Sequence, residues 1–89
     1  MPYQVIVETE AKERFLALDN SVRIKILKKL KQMEIEDLQS RHFKHGIPVF
    51  IEEVGQFRII FKLKGELKEK RVMFIGDHKE YEKWYKSQK

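Results

Sequence analysis

A histidine, a tyrosine and an arginine stand out in this chain as side chains able to act on a phosphodiester. His78 and Tyr81 lie in the C-terminal stretch FIGDHKEYEKWYK, and Arg58 lies in FRIIFKLKG. Arginine and lysine hold a phosphate and stabilise the extra negative charge of a phosphoryl-transfer transition state. Histidine or tyrosine can move a proton between a 2′-hydroxyl and a leaving 5′-oxygen. Aromatic side chains such as Trp84 and Tyr85 can stack on unpaired bases. Lys62 and Lys64, on the same strand face as Arg58, would add phosphate-binding charge. Such a set suits RNA and requires no metal or other cofactor.

The same residues have a structural reading. Asp77 can be an N-cap and Glu80 its capping-box partner. Tyr81, Trp84 and Tyr85 at i, i+3, i+4 can pack a helix on a sheet. Read from this helix alone, the structural role is favoured. The remaining histidines, His42 and His45, stand three apart in an expected loop without a carboxylate pattern beside them, which does not match zinc spacing.

These groups need elements to position them. Residues 3–8, YQVIVE, alternate and are β-branched, so Tyr3, Val5 and Val7 share one face of a strand. From Thr9, a plausible N-cap, the period becomes helical, with Ala11, Phe15 and Leu18 on one stripe. Asp19-Asn20-Ser21 interrupts, and a longer helix follows with Val22, Ile26, Leu27, Leu30 and Met33 on its core face. Residues 40–48 read as a loop closed by Gly46 and Pro48. VFIEEV is a short strand and Gly55-Gln56 a turn. FRIIFKLKG is a strand with Phe57, Ile59, Phe61 and Leu63 on one face and Arg58, Ile60, Lys62 and Lys64 on the other. Gly65-Glu66 forms a hairpin tip, and a strand from about Leu67 to Ile75 leads into the last helix. The expected fold is α+β: an N-terminal strand and two-helix hairpin packed on a small antiparallel sheet, with a C-terminal helix, in one domain over 1–89. The Phe57/Phe61 face would meet the helices. The Arg58/Lys62/Lys64 face would stay open as a basic surface.

Composition bounds the partners. Lysine and arginine number 19 against 14 acidic residues, a net +5, which favours polyanions or an acidic protein partner. The 14 acidic residues divide evenly between the two halves, so the charge is not segregated along the chain. There is no cysteine, hence no disulfide or thiolate chemistry. No stretch has the length and apolarity of a membrane span, and MPYQVIVETE lacks the features of a signal peptide. A soluble, cytoplasmic protein is expected. Abundant Lys and Glu with few Asn and Gln lean thermophilic.

The order of elements, the loop FKHGIP, the pair VFIEEVGQFRIIF and the ending FIGDHKEYEKWY resemble the RelE/ParE superfamily of toxins from toxin–antitoxin pairs. The resemblance spans nearly the whole chain, and the Gly-x-His ending followed by Tyr looks most like the HigB-type branch. It implies a RelE-like microbial RNase fold and a ribosome-dependent mRNA endonuclease, held silent by a cognate antitoxin protein. By the same resemblance Arg58 matches the strand arginine on the scissile phosphate. His78 matches a post-strand acid or phosphate ligand, and Tyr81 the tyrosine of the HigB-type ending. Trp84 or Tyr85 matches a C-terminal aromatic, and Lys44 lies in the loop where members carry basic residues. One departure is clear: the strand before the glycine turn carries Glu52 and Glu53 where members often carry basic residues. Carboxylates facing the site would repel RNA, or one could be a general base. A ParE-like poison of DNA gyrase and a non-catalytic binding module on the same fold are the alternatives.

Overall fold

The computed structural model describes residues 3–35, 41–42, 49–64 and 68–87, with the backbone alone at 41–42. Its elements run β1 (Gln4–Val7), α1 (Thr9–Leu16), α2 (Asn20–Ile35), β2 (Arg41–His42), β3 (Phe50–Val54), β4 (Phe57–Lys64), β5 (Glu69–Asp77) and α3 (His78–Ser87). The strands form a five-stranded sheet in the order β1-β5-β4-β3-β2. The α+β plan read from the sequence is present. The sheet is mixed, because β1 pairs in parallel with β5 while the other neighbours are antiparallel. Residues 41–42, expected in a loop, extend the sheet past β3.

One face of the sheet carries the main core. Ala11, Ile26, Met33, Ile59, Phe61, Val72 and Ile75 are fully buried there, with Val5, Val7, Phe15, Leu18, Val22 and Leu30 packed around them. Each large apolar side chain so buried contributes about 1.5–3 kcal/mol. The Phe57/Phe61 face thus meets the helices, as the alternation predicts. Leu27 does not join them and is 46% exposed. Val22, Ile26, Leu30 and Met33 already fill the sheet-facing stripe of α2, and Leu27 stands about 100° around the helix from Ile26.

Lys70 also points into this face and is 1% exposed. Its Nζ donates a hydrogen bond to the Met33 carbonyl at 2.8 Å and lies 4.6 Å from the centre of the Tyr3 ring. The Tyr3 N–H donates to the Glu34 carbonyl. The last turn of α2, whose carbonyls have no partners within the helix, is therefore fastened to β1 and β5.

The opposite face is not open. Val49, Ile60, Phe74 and Trp84 form a second buried cluster, with Ile51, Met73, Tyr81 and Tyr85 around it. The register shifts between Ile60 and Phe61, leaving Met73 without a cross-strand partner as a bulge in β5. The bulge keeps Phe74 across from Ile60 while Val72 stays across from Phe61. The expectation of a continuous basic surface on this face is corrected: α3 lies across its centre and buries Ile60.

Candidate functional site

The hairpin β3–β4 turns at Gly55-Gln56, with Gly55 at φ +59°. Glycine is suited there, because a two-residue hairpin turn of this kind needs a positive φ at its first position. The register then sets Arg58 opposite Glu53 on one side and Gly76 on the other. Gly76 is tightly enclosed: a Cβ there would come 2.7 Å from Cζ of Phe74.

Directly after Gly76, β5 ends and α3 begins. The capping box expected from the sequence is formed: the Glu80 N–H donates to Asp77 Oδ1 at 2.9 Å, and the Asp77 N–H donates to Glu80 Oε1 at 3.1 Å. Glu80 also pairs with Arg14 of α1 at 3.4 Å. The first turn of α3 is thus held from its own backbone and from α1, which fixes where His78 and Tyr81 project. Thr9 does not act as a comparable cap. It is the first residue of α1, and the preceding Glu8 makes no side-chain cap bond.

Arg58, His78 and Tyr81 come together. The Arg58 guanidinium lies 4.5 Å from the Tyr81 ring centre, a cation–π contact. The His78 and Tyr81 rings stack with centres 6.4 Å apart, and Tyr85 continues the stack 6.5 Å beyond Tyr81. His78 is exposed, and its Nε2 meets Glu82 Oε1 at 3.0 Å, one helical turn on. Glu53, Gln56, Arg58, Asp77, His78 and Lys79 line an open hollow beside the hairpin turn. Its rim carries an arginine, a lysine, a histidine and two carboxylates, and the Asp77 carboxylate is engaged in the cap.

The two glutamates of the FIEEVG strand separate. Glu52 lies across from Ile59 on the helix side and pairs with Lys29 of α2 at 3.4 Å. Glu53 alone shares the face of Arg58. The alternation of a strand carries this distinction, since neighbouring residues must point to opposite faces.

Other expected site residues are placed differently. Trp84 is 6% exposed and packs on Phe74 with ring centres 5.6 Å apart, so it is core and has no face for a base to stack on. Tyr85 is half-buried at the end of the aromatic stack. Lys62 and Lys64 are exposed on the Arg58 face, opposite Arg71 and Glu69. Lys62 is about 13 Å along the strand from Arg58, with the covered Ile60 between them. Lys44 lies outside the described residues, as do His45, residues 46–48 and the Gly65-Glu66 tip expected from the sequence. Glu82 was missed from sequence, although its i, i+4 spacing from His78 was the available signal.

No family model and no curated protein sequence matches the chain. Solved structures do. The toxin–antitoxin complex RelBE2 of Mycobacterium tuberculosis has a chain of 15% identity and TM-score 0.81, with 88% of this chain and 100% of that chain covered. A variant of the Escherichia coli toxin RelE in the free state has 17% identity and TM-score 0.76, with 96% and 93% covered. The archaeal RelE–RelB complex of Pyrococcus horikoshii has 13% identity and TM-score 0.71, with 86% and 96% covered. The chain therefore has the RelE-type toxin fold, at sequence identities that speak for the fold alone.

Proposed function

We propose that this protein is the toxin of a toxin–antitoxin pair and acts as a ribosome-dependent mRNA endonuclease in the cytoplasm, with a cognate antitoxin as its regulatory partner. The carrying observation is the convergence of Arg58, His78 and Tyr81 beside one open hollow on this fold. In the proposed reaction the RNA 2′-hydroxyl gives up its proton to a solvent water as its oxygen attacks the adjacent phosphorus, and the bond from phosphorus to the 5′-oxygen breaks. The products are a 2′,3′-cyclic phosphate and a free 5′-hydroxyl. Arg58 holds the phosphate and offsets the charge that builds on its non-bridging oxygens. His78 supplies a proton to the departing 5′-oxygen, and Tyr81 fixes both the guanidinium and the imidazole by stacking. Lys79 adds positive charge at the hollow itself, and the outlying Lys62 and Lys64 attract the strand from further away. Lys44 keeps its proposed role in RNA binding on the family resemblance, and Tyr85 can support a stacked base through Tyr81.

Glu53 favours a second reading. A carboxylate directly across the strand from Arg58 competes with a phosphate for the guanidinium. A ParE-like inhibitor of DNA gyrase, or a binding module without cleavage, would tolerate that competition. A purified translation system with a defined mRNA separates these readings. Cleavage at codon-linked positions during translation is expected. An intact message together with inhibited supercoiling by gyrase would transfer the function to the second reading.

A further inference from the structure

Helix α3 carries two glutamates, and the fold uses one of them. Glu80 closes the cap with Asp77 and pairs with Arg14 of α1. Glu82 has one polar partner among the described residues, His78, whose Nε2 lies 3.0 Å from its Oε1. Lys79 at i−3 and Lys86 at i+4 are within helical reach of the same carboxylate, yet the histidine holds it. The two side chains are 58% and 52% exposed, so the pair adds little to stability. Its consequence lies in the orientation of the ring. An ionised carboxylate only accepts hydrogen bonds, so Nε2 must carry a proton. Nδ1 has no hydrogen-bond partner among the described residues. The other restraint on the ring is Tyr81, stacked at 6.4 Å with the planes 29° apart. Tyr81 at i+3 thus sets the plane of the imidazole, and Glu82 at i+4 decides which edge is left for a ligand.

We infer that Glu82 is a positioning residue for the cleavage reaction, one that holds the Nε2–H of His78 so that Nδ1 serves the departing 5′-oxygen. The inference rests on the proposed RNA cleavage. In that step the imidazolium enters with a proton on each nitrogen. The Nδ1 proton passes to the 5′-oxygen as its bond to phosphorus breaks. The ring is left neutral, with the Nε2 proton still donated to Glu82. Without Glu82 either nitrogen can keep the remaining proton, and either edge of the ring can turn to the substrate. A carboxylate behind a histidine fixes tautomer and orientation in the same way wherever an imidazole serves as base or ligand. The two carboxylates that line the hollow are placed for other contacts: Asp77 is engaged in the cap, and Glu53 lies across from Arg58.

The test is single-turnover cleavage by the intact protein on a saturating concentration of programmed ribosomes. Glu82→Ala should slow cleavage by about tenfold or more, with ribosome affinity and urea midpoint as in the parent. Glu82→Gln, whose amide oxygen still accepts from Nε2, should recover most of that rate. In a His78→Ala background, Glu82→Ala should cost nothing further. A message with sulfur in place of the 5′-oxygen at the cleaved linkage gives a chemical signature. A thiolate leaves without a proton, so the loss on Glu82→Ala should vanish there. Equal losses on the oxygen and sulfur messages would overturn the inference. So would a Glu82→Ala protein that cleaves like the parent when His78→Ala does not. A parent protein that cleaves neither message would overturn the cleavage reading, and the inference with it. The 15N shifts of His78 need no RNA. With the ring neutral, the parent should show Nε2 protonated and Nδ1 bare, and Glu82→Ala should draw the two shifts together. Equally averaged nitrogens in both proteins would overturn the inference whatever the activity.

Discussion

Among single residues, those that start α3 decide the geometry of the site. The capping box between Asp77 and Glu80 sets the first turn from which His78 and Tyr81 project. Asp77→Ala should lower stability by about 1 kcal/mol, read as a shift in the urea midpoint without a change in slope. The same variant should lose cleavage activity beyond what its folded fraction explains, because His78 follows directly. Asp77→Asn, which keeps a capping oxygen, should restore most of both. Glu53→Gln addresses the competition for Arg58. RNA should bind several-fold more tightly once the carboxylate is gone, measured by fluorescence anisotropy with a short single strand. If cleavage instead falls a hundredfold while binding strengthens, Glu53 is a base in the reaction. Both halves of the capping box were legible in the sequence, since a cap is local chemistry at fixed spacing. The exclusion of Trp84 from the site was not. Its burial depends on Phe74 and Ile60, which only the fold brings beneath it.

At the scale of elements, Lys70 and Gly76 show what local pattern leaves out. Lys70 sits on the buried side of β5 because Val5 and Val72 share that side, and its amine reaches the end of α2. Lys70→Ala should destabilise the protein by about 2–4 kcal/mol through lost packing and an orphaned carbonyl. Lys70→Met keeps the stem and should cost only about 1–2 kcal/mol. Equal losses would mean that the amine, not the stem, holds the helix end. Gly76→Ala would drive a methyl group into Phe74, at about 1–3 kcal/mol, and should disturb the start of α3. The alternation of β4 gave its two faces correctly. The bulge at Met73, the parallel pairing of β1 with β5 and the position of α3 were beyond sequence reach. Each is decided by contacts between residues far apart in the chain. The Arg58 face looked open for that reason, since nothing in FRIIFKLKG records what lies above Ile60. A helical stripe read alone likewise puts Leu27 in the core, because it does not show how wide a face the sheet covers.

For the whole molecule, the net charge of +5 is divided among separate surfaces. Lys25, Lys28 and Lys31 lie on the outside of α2, Lys62 and Lys64 on the far part of β4, and Arg58 and Lys79 at the hollow. The charge that is unsegregated along the chain is thus sorted by the fold. Binding of RNA at the hollow should weaken as salt rises, with a shallow slope because few phosphates are neutralised there. In the proposed function Arg58 stabilises the transition state of RNA cleavage. Its most direct test is the single-turnover rate of mRNA cleavage on programmed ribosomes, compared between the parent protein and Arg58→Ala at matched ribosome occupancy. A loss of about 100- to 1,000-fold in that rate is expected. Cleavage by Arg58→Ala at the parent rate, or no cleavage by the parent protein, would contradict it.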